Sequence, residues 1–401
     1  MFGSKWRLLA AVAAASVAGA GAVIAQTGET APEARYYMDV GTTAGMMGQG
    51  DSHQLLLRLG SRLAATGGAP KADHFMPAGA KLGASVPLVS PEPAKATQGP
   101  TDPQSYGGWE RPKGRLLLYW GCGAHAGPGQ PVVIDFAKVA KGQMPPNLFS
   151  TKVSQDMGPQ PGASRTYGDW PNAKDGKTVS ASASLIGQHR VAGNYSPEMA
   201  FNLDQDFMAA MRIRQTPGAD GSTGLSWNGL TNATGYYAWA MGGKDMGKDG
   251  SDMVWWASSA TQDFGGGLWD WLSPATVGRL VGQKVVMPPA QTSCTVPAEV
   301  RQAAGQTMIG YLYAYGPEAN FAFPERPRDP KVAWHPKWTA KVRYRSMAMM
   351  MLGMPDMGDM GDMMSGRNKR GEQNEGDQPQ PKPCKPKLGG LLRSALGKKA
   401  C

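Results

Sequence analysis

The sequence lacks the residue spacings on which common catalytic and metal centres are built. Its five histidines stand singly, without an HExxH or HxH spacing, and there is neither a CxxC pair nor a GxSxG nucleophile elbow. Asp204 and Asp206 would share one side of a strand, but acids at a strand end are more often solvated than catalytic. We therefore expect no catalytic residues and no enzymatic activity, with a glycan-acting hydrolase as the alternative.

Long apolar runs are missing beyond the first 25 residues. Within that stretch Lys5 and Arg7 precede a run of Ala, Val, Leu and Gly that ends at Val23 and Ala25, an order typical of a cleavable secretory signal peptide. We predict cleavage after Ala25 and a mature chain in the periplasm, outside the cell or at its surface. No later stretch approaches the ~20 apolar residues that cross a bilayer, so no transmembrane span is expected after cleavage.

Cysteine is scarce, with four residues in the whole chain. An even number in an exported protein permits two disulfides, and sequence alone leaves the connectivity open. Cys122 and Cys294 lie in apolar, strand-like sequence, whereas Cys384 and Cys401 lie in a polar tail. We predict that Cys122 pairs with Cys294 and that Cys384 pairs with Cys401.

The positive charge is concentrated in the C-terminal tail and gives no indication of a nucleic-acid groove on the body, so no specific nucleic-acid partner is expected. The formal net charge is +10, and residues 365–401 hold nine basic and three acidic groups. Removing Lys5 and Arg7 with the signal peptide leaves only about +2 for residues 26–364. The tail is predicted to be disordered, with a short basic amphipathic helix at its end. It is expected either to bind an anionic surface of the cell envelope or to be solvated without a partner.

Frequent turn formers and alternating segments predict a mainly β protein. The chain has 54 glycines and 32 prolines, which favour turns and short strands. Apolar and polar residues alternate at 179–185, 310–316 and 338–346, as in half-buried strands. Further strand candidates are 53–59, 115–120, 132–136, 208–215, 225–227, 236–241, 252–257 and 284–287, and the candidate helix of the body is 297–305. This pattern indicates antiparallel β-sandwich domains.

One segment resembles a known module. In residues 224–239 a core tryptophan, Trp227, is followed by a turn and then by Gly235 and Tyr236 at the start of the next apolar run. This order is similar to the B-to-C strand region of a fibronectin type III module. The resemblance implies an Ig-like sandwich for residues 216–346 and no functional residue.

Composition shifts divide the chain into seven predicted segments. Residues 26–86 form a β segment that either folds alone or donates strands to the body, and a Pro-rich linker follows it. The segments are 1–25 (signal peptide), 26–86 (N-terminal β segment), 87–112 (Pro-rich linker), 113–215 (β-sandwich domain), 216–346 (Ig/fibronectin III-like domain), 347–364 (Met-rich low-complexity segment) and 365–401 (disordered basic tail).

Methionine gives the chain its most unusual pattern. Nine of the 24 methionines fall between residues 347 and 364, and one set recurs at every third position: Met351, Met354, Met357, Met360 and Met363. Soft thioethers prefer Cu(I) and Ag(I), and they persist as ligands in an oxidising compartment. The run is predicted either to bind Cu(I) or to be a low-complexity apolar segment.

Aromatic residues provide a second candidate binding site. Trp255, Trp269, Trp271 and Tyr313 could form a flat platform on which sugar rings stack, although core packing explains such residues equally well. The sequence therefore favours an exported cell-envelope or secreted β-sandwich protein with a non-catalytic binding or structural role. Its expected partner is an envelope component or a glycan. The alternatives are a periplasmic Cu(I)/Ag(I)-handling protein and a glycan-acting hydrolase.

Overall fold

The computed structural model describes residues 30–45, 50–92, 114–143, 148–244, 251–305, 307–329 and 331–353. The predicted signal peptide, the basic tail with Cys384 and Cys401, and Met354, Met357, Met360 and Met363 lie outside the described residues. In the described part the chain is mainly β, as predicted, with mixed and antiparallel sheets.

Sixteen strands and three α-helices are present among the described residues. The strands are β1 (Ala34–Thr43), β2 (Ser52–Ser61), β3 (Ala72–Phe75), β4 (Ser85–Leu88), β5 (Arg115–Trp120), β6 (Val132–Asp135), β7 (Thr166–Trp170), β8 (Gly187–Gly193), β9 (Met199–Leu203), β10 (Ile213–Pro217), β11 (Thr223–Trp227), β12 (Gly235–Gly242), β13 (Met253–Ala257), β14 (Ser293–Val296), β15 (Met308–Phe323) and β16 (Trp338–Leu352). The helices are α1 (Phe136–Ala140), α2 (Pro274–Gly282) and α3 (Ala298–Ala304), and a short 3₁₀ turn spans Gly266–Trp269.

A nine-stranded sheet organises the molecule, in the order β6-β5-β13-β12-β15-β16-β1-β2-β7. Neighbouring strands are antiparallel except β1 with β16 and β13 with β5, which are parallel. The long hairpin of β15 and β16 forms its centre and contains one register shift between Tyr315 and Glu318. The first described strand, β1, therefore pairs with the last described strand, β16.

Two small sheets cover one face of the large sheet. They have the orders β4-β3-β8-β9 and β10-β11-β14, and their side chains share one hydrophobic cluster with Tyr36, Met38 and Val40 of β1. Polar contacts join the layers, because the hydroxyls of Thr42 and Ser346 donate to backbone carbonyls in the loop before β10 at 2.7 and 2.9 Å. The arrangement is thus a layered packing of sheets around an apolar core.

The opposite face of the large sheet carries helix α2 and the 3₁₀ turn. Val277 and Leu280 of α2 pack there in a second hydrophobic cluster. The helix begins at an N-cap, since the Ser273 hydroxyl accepts from the amide of Thr276 and Pro274 occupies the first turn. The hydroxyl of Tyr315 donates to the carbonyl of Leu268 at 2.5 Å and anchors the 3₁₀ turn to the sheet.

Cys122 and Cys294 form a disulfide, the pairing predicted for the body of the chain. Cys122 follows β5 of the large sheet, and Cys294 lies on β14 of the three-stranded sheet. The bond therefore links two sheets across 172 residues of sequence.

Several sequence expectations differ from the structure. Residues 179–185 are not a strand, because Val179 makes only an isolated bridge and a turn closes with the Ala183 amide on the Ser180 carbonyl. At 284–287 only Met287 bridges, to Tyr236. Residues 347–352, the start of the predicted Met-rich segment, belong to β16.

The predicted domain boundaries do not separate sheets. Strands from 26–86, 113–215 and 216–346 all join the nine-stranded sheet, so the N-terminal segment donates strands to the body. Trp227 and Tyr236, which carry the fibronectin-like resemblance, lie on different sheets and their rings pack edge to face at 5.4 Å.

Candidate ligand-binding site

A cavity of about 360 Å³ lies at the β2–β7 edge of the large sheet. Its walls come from these two strands, from the loop before β7 and from the segment that follows the 3₁₀ turn. The lining residues are Asp39, Leu56, Leu57, Arg58, Gln155, Met157, Asp169, Trp170, Pro171, Asp270 and Trp271. Three aspartates, one arginine and two tryptophans are thus among the residues that line a space suited to a small molecule.

A buried ion pair forms the base of this cavity. Asp39 is 0% exposed, and its two carboxylate oxygens accept hydrogen bonds from Nε and Nη2 of Arg343 at 2.6 and 2.9 Å. Arg58 donates a further bond to the same carboxylate. The parallel register of β1 and β16 places Asp39 opposite Arg343, so backbone pairing delivers the two charges to one place. Bidentate geometry of this kind favours a fixed orientation of both side chains.

The two arginines also hold the loops that form the walls. Arg343 donates from Nη1 to the carbonyls of Asp156 at 3.0 Å and Trp271 at 3.2 Å. Arg58 donates to the carbonyl of Met157. Because each guanidinium has several donors in a rigid plane, one buried acid on β1 positions both loops through them.

Two further carboxyls in the wall have raised pKa values. Burial is the main cause for Asp169, and it outweighs the opposing effects of the Tyr167 hydroxyl and Arg58. Burial likewise raises the pKa of Asp270, although its oxygens accept from the amides of Trp271 at 2.7 Å and Asp156 at 2.6 Å. Both carboxylate oxygens of Asp270 thus already accept hydrogen bonds from backbone amides. Asp169 is therefore the wall carboxyl better placed to bind a ligand.

The residues of the predicted aromatic platform pack near one another in the structure, but they are buried or half-buried rather than exposed. Trp255 and Trp269 stack at 5.7 Å, and the guanidinium of Arg345 lies 4.2 Å from the ring centre of Trp271 and 5.1 Å from that of Tyr313. Trp255, Trp271 and Tyr313 are buried and Trp269 is half-buried. Among these four, Trp271 lines the cavity. Their main contribution in the described part is a packed aromatic layer over the sheet.

A second buried polar group lies on the other face of the sheet. The Tyr36 hydroxyl is hydrogen-bonded to Nδ1 of His74, Nε2 of His74 to Nδ1 of His189 at 2.9 Å, and Nε2 of His189 donates to the carbonyl of Leu185 at 2.7 Å. With both imidazoles neutral, each bond in this series has one donor and one acceptor. Burial lowers the pKa of both histidines, with His74 lying well below its ordinary range.

Comparison of the chain with protein-family models, with curated proteins and with solved structures found no match. Among the described residues, no helix is both long and apolar enough to cross a membrane. The same residues contain no group of three or more His, Cys, Asp or Glu side chains that could hold a metal ion.

Sequence reasoning missed the charged residues of the cavity. The alternation of 338–346 correctly separates Arg343 and Arg345 from the apolar side of the strand, but it gives no sign that Arg343 is buried on the other side. Asp39 carried a usable signal, because a single acid between Met38 and Val40 in an apolar strand needs a buried partner. Asp169 and Asp270 carried no such signal in the sequence, because their surroundings depend on loops that meet only in the folded chain.

Proposed function

We propose that the protein is an exported cell-envelope component that binds a small hydroxylated amine without transforming it. The signal-like N-terminus supports export, and the Cys122–Cys294 disulfide is in keeping with an oxidising compartment. The cavity at the β2–β7 edge is the proposed binding site.

The observation that carries this proposal is the wall of the cavity. Asp169 offers carboxylate oxygens that accept hydrogen bonds from hydroxyl or ammonium groups, and Met157 and Trp271 provide apolar lining beside it. The Asp39–Arg343 pair holds the site in shape but uses its own charges internally. Arg58 shares Asp39 with Arg343, so the carboxyls of Asp169 and Asp270 leave the site with three acidic groups against two basic ones. This balance favours a ligand with both hydroxyls and a positive charge over an anion.

Calorimetric titration with glucosamine and with glucose tests the proposal on the mature chain. Glucosamine carries the ammonium group and glucose does not, so we expect binding of glucosamine to be the tighter. Asp169→Asn should weaken glucosamine binding, whereas Asp204→Asn, which removes an exposed acid away from the cavity, should leave it unchanged. Equal heats for Asp169→Asn and the unaltered chain, or no glucosamine binding at all, would count against this site.

A glycan-acting hydrolase is the second candidate, and one observation favours it. Asp169 and Asp270 are two carboxyls in one cavity whose pKa values are both raised by burial, the state required of a general acid. Turnover of 4-nitrophenyl glycosides tests this reading. Hydrolysis that disappears in Asp169→Asn while the chain stays folded would favour the hydrolase over a binding protein.

A further inference from the structure

The outer face of β16 presents a row of methionines. Met347, Met349 and Met351 alternate toward the side of the sheet opposite the main core and are half-buried, while Met350 between them is 2% exposed on the core side. This row belongs to an ordered strand in the middle of the large sheet. It is separate from the cavity, which lies at the β2–β7 edge.

The preference of strands for particular residue types does not explain why methionine occupies these three positions. Half-buried strand positions favour β-branched and aromatic side chains, and the neighbouring strand follows that preference with Ile309 opposite Met351 and Tyr311 opposite Met349. Met241 extends the same row on β12, opposite Ile309. Three successive outward positions of β16 instead carry flexible, polarizable thioethers.

We propose that the thioethers of Met349 and Met351 bind one Cu(I) or Ag(I) ion on this face. Alternate residues of a strand lie on the same side about 6.7 Å apart, and unbranched side chains with three rotatable bonds can bring two sulfurs at that spacing onto one ion. Soft thioethers select soft monovalent ions. The apolar neighbours Ile309, Tyr311 and Met241 offer no carboxylate or imidazole to a harder cation.

Silver is the appropriate probe, because Ag(I) needs no reductant and so leaves the Cys122–Cys294 disulfide intact. The parent for the test is the mature chain with Cys384 and Cys401 changed to Ser. In the same parent Met354, Met357, Met360, Met363 and Met364 are changed to Leu. These substitutions remove the competing sulfurs of residues 354–364 and of the basic tail, and they leave β16 unchanged.

The decisive comparison is between two Met→Leu changes on the same strand. Met349→Leu with Met351→Leu keeps the face apolar and nearly unchanged in volume, but it removes the proposed ligands. Met350→Leu is the matched control on the opposite face. Equilibrium dialysis should show about one Ag(I) per chain for the parent and for Met350→Leu, and none for the double variant. With ¹³C-methyl methionine, the signals of Met349 and Met351 should shift on titration.

Two outcomes would overturn the proposal. One is a parent that binds no Ag(I), and the other is a double variant that binds as the parent does while its circular dichroism is unchanged. The result is independent of the cavity, because Asp169→Asn is expected to lower glucosamine binding and to leave Ag(I) binding as it was.

Discussion

At the scale of single residues, Asp39 is the acid on which the cavity most depends. It is completely buried between Arg343 and Arg58, and Arg343 is itself only 3% exposed. Replacing the carboxylate by an amide removes the acid that Arg343 contacts most closely and leaves it with Asp156 and Asp270, each 3.8 Å away. We expect Asp39→Asn to lower the free energy of unfolding by about 3–5 kcal/mol.

Urea unfolding followed by tryptophan fluorescence measures this loss. Asp252→Asn is the matched control, because Asp252 pairs with Arg115 at the surface and exposed pairs contribute little. The role given to Asp39 would be contradicted if the two variants unfolded at the same urea concentration.

The buried histidines give the protein a predictable response to acid. His74 and His189 have lowered pKa values when folded, so the folded chain binds fewer protons than the unfolded chain below the ordinary histidine pKa of about 6.5. Stability is therefore fully present above that pH and falls as the pH drops toward the folded-state values, by about 1.4 kcal/mol per pH unit for each histidine.

Urea midpoints between pH 7.5 and 5.0 test this slope. His74→Phe should be less stable at neutral pH but should show a flatter decline, because one buried neutral imidazole is gone. His335→Gln changes an exposed histidine and should keep the steep decline. Parallel curves for all three chains would show that the buried pair does not govern the response.

At the scale of elements, periodicity predicted those strands whose two faces meet different surroundings. The segment 338–346 was found because Val342 and Tyr344 face the core while charged residues alternate with them. The segment 179–185 has the same pattern, yet the Ser180 hydroxyl is hydrogen-bonded to the hydroxyl of Ser182 and accepts from its backbone amide. Local side-chain hydrogen bonds compete with strand pairing, and composition does not reveal which one wins.

Helix α2 was missed although its sequence carried a signal. Ser273 followed by Pro274 is a typical helix start, and Val277 and Leu280 have helical spacing. The short strands β3, β4, β8 and β9 gave no such signal, because four to seven residues are too few for a period to stand out.

Substitution of two glycines by alanine tests how closely the elements pack. One change is expected to lower the stability of the chain and the other to raise it. A Cβ on Gly310 of β15 would lie 2.0 Å from the carbonyl oxygen of Trp239 and 2.6 Å from the Cα of Ala240 on β12. Gly310→Ala should therefore force the central strands apart and cost about 3 kcal/mol or more. Gly278 of α2 has open space around it, and Gly278→Ala should stabilise the chain by about 0.5–1 kcal/mol.

Thermal unfolding of the two glycine variants beside the unaltered chain is the measurement. The same substitution at both sites makes each variant the control for the other. A Gly310→Ala chain as stable as its parent would mean that β12 and β15 do not approach as closely as described.

At the scale of the whole molecule, topology was the feature least accessible to the sequence. Composition marks a proline-rich break after residue 86, and a break of this kind usually ends a domain. The structure instead places β1 in parallel pairing with β16, so the two ends of the described chain meet in one sheet. Pairing across such sequence separation leaves no local pattern, because each strand needs only to be apolar on the correct face.

This topology predicts that the body cannot fold without the N-terminal strands. A chain that begins at Gly114 lacks Tyr36, Met38 and Val40, which are 0% exposed, and it leaves the edge of β16 unpaired. An exposed apolar face and an open strand edge both favour aggregation. We expect the 114–401 chain to lose its near-ultraviolet circular dichroism and to bind a hydrophobic dye, whereas the chain from Gln26 unfolds in one cooperative transition. A soluble 114–401 chain with a sharp transition of its own would show instead that residues 26–86 are a separate module.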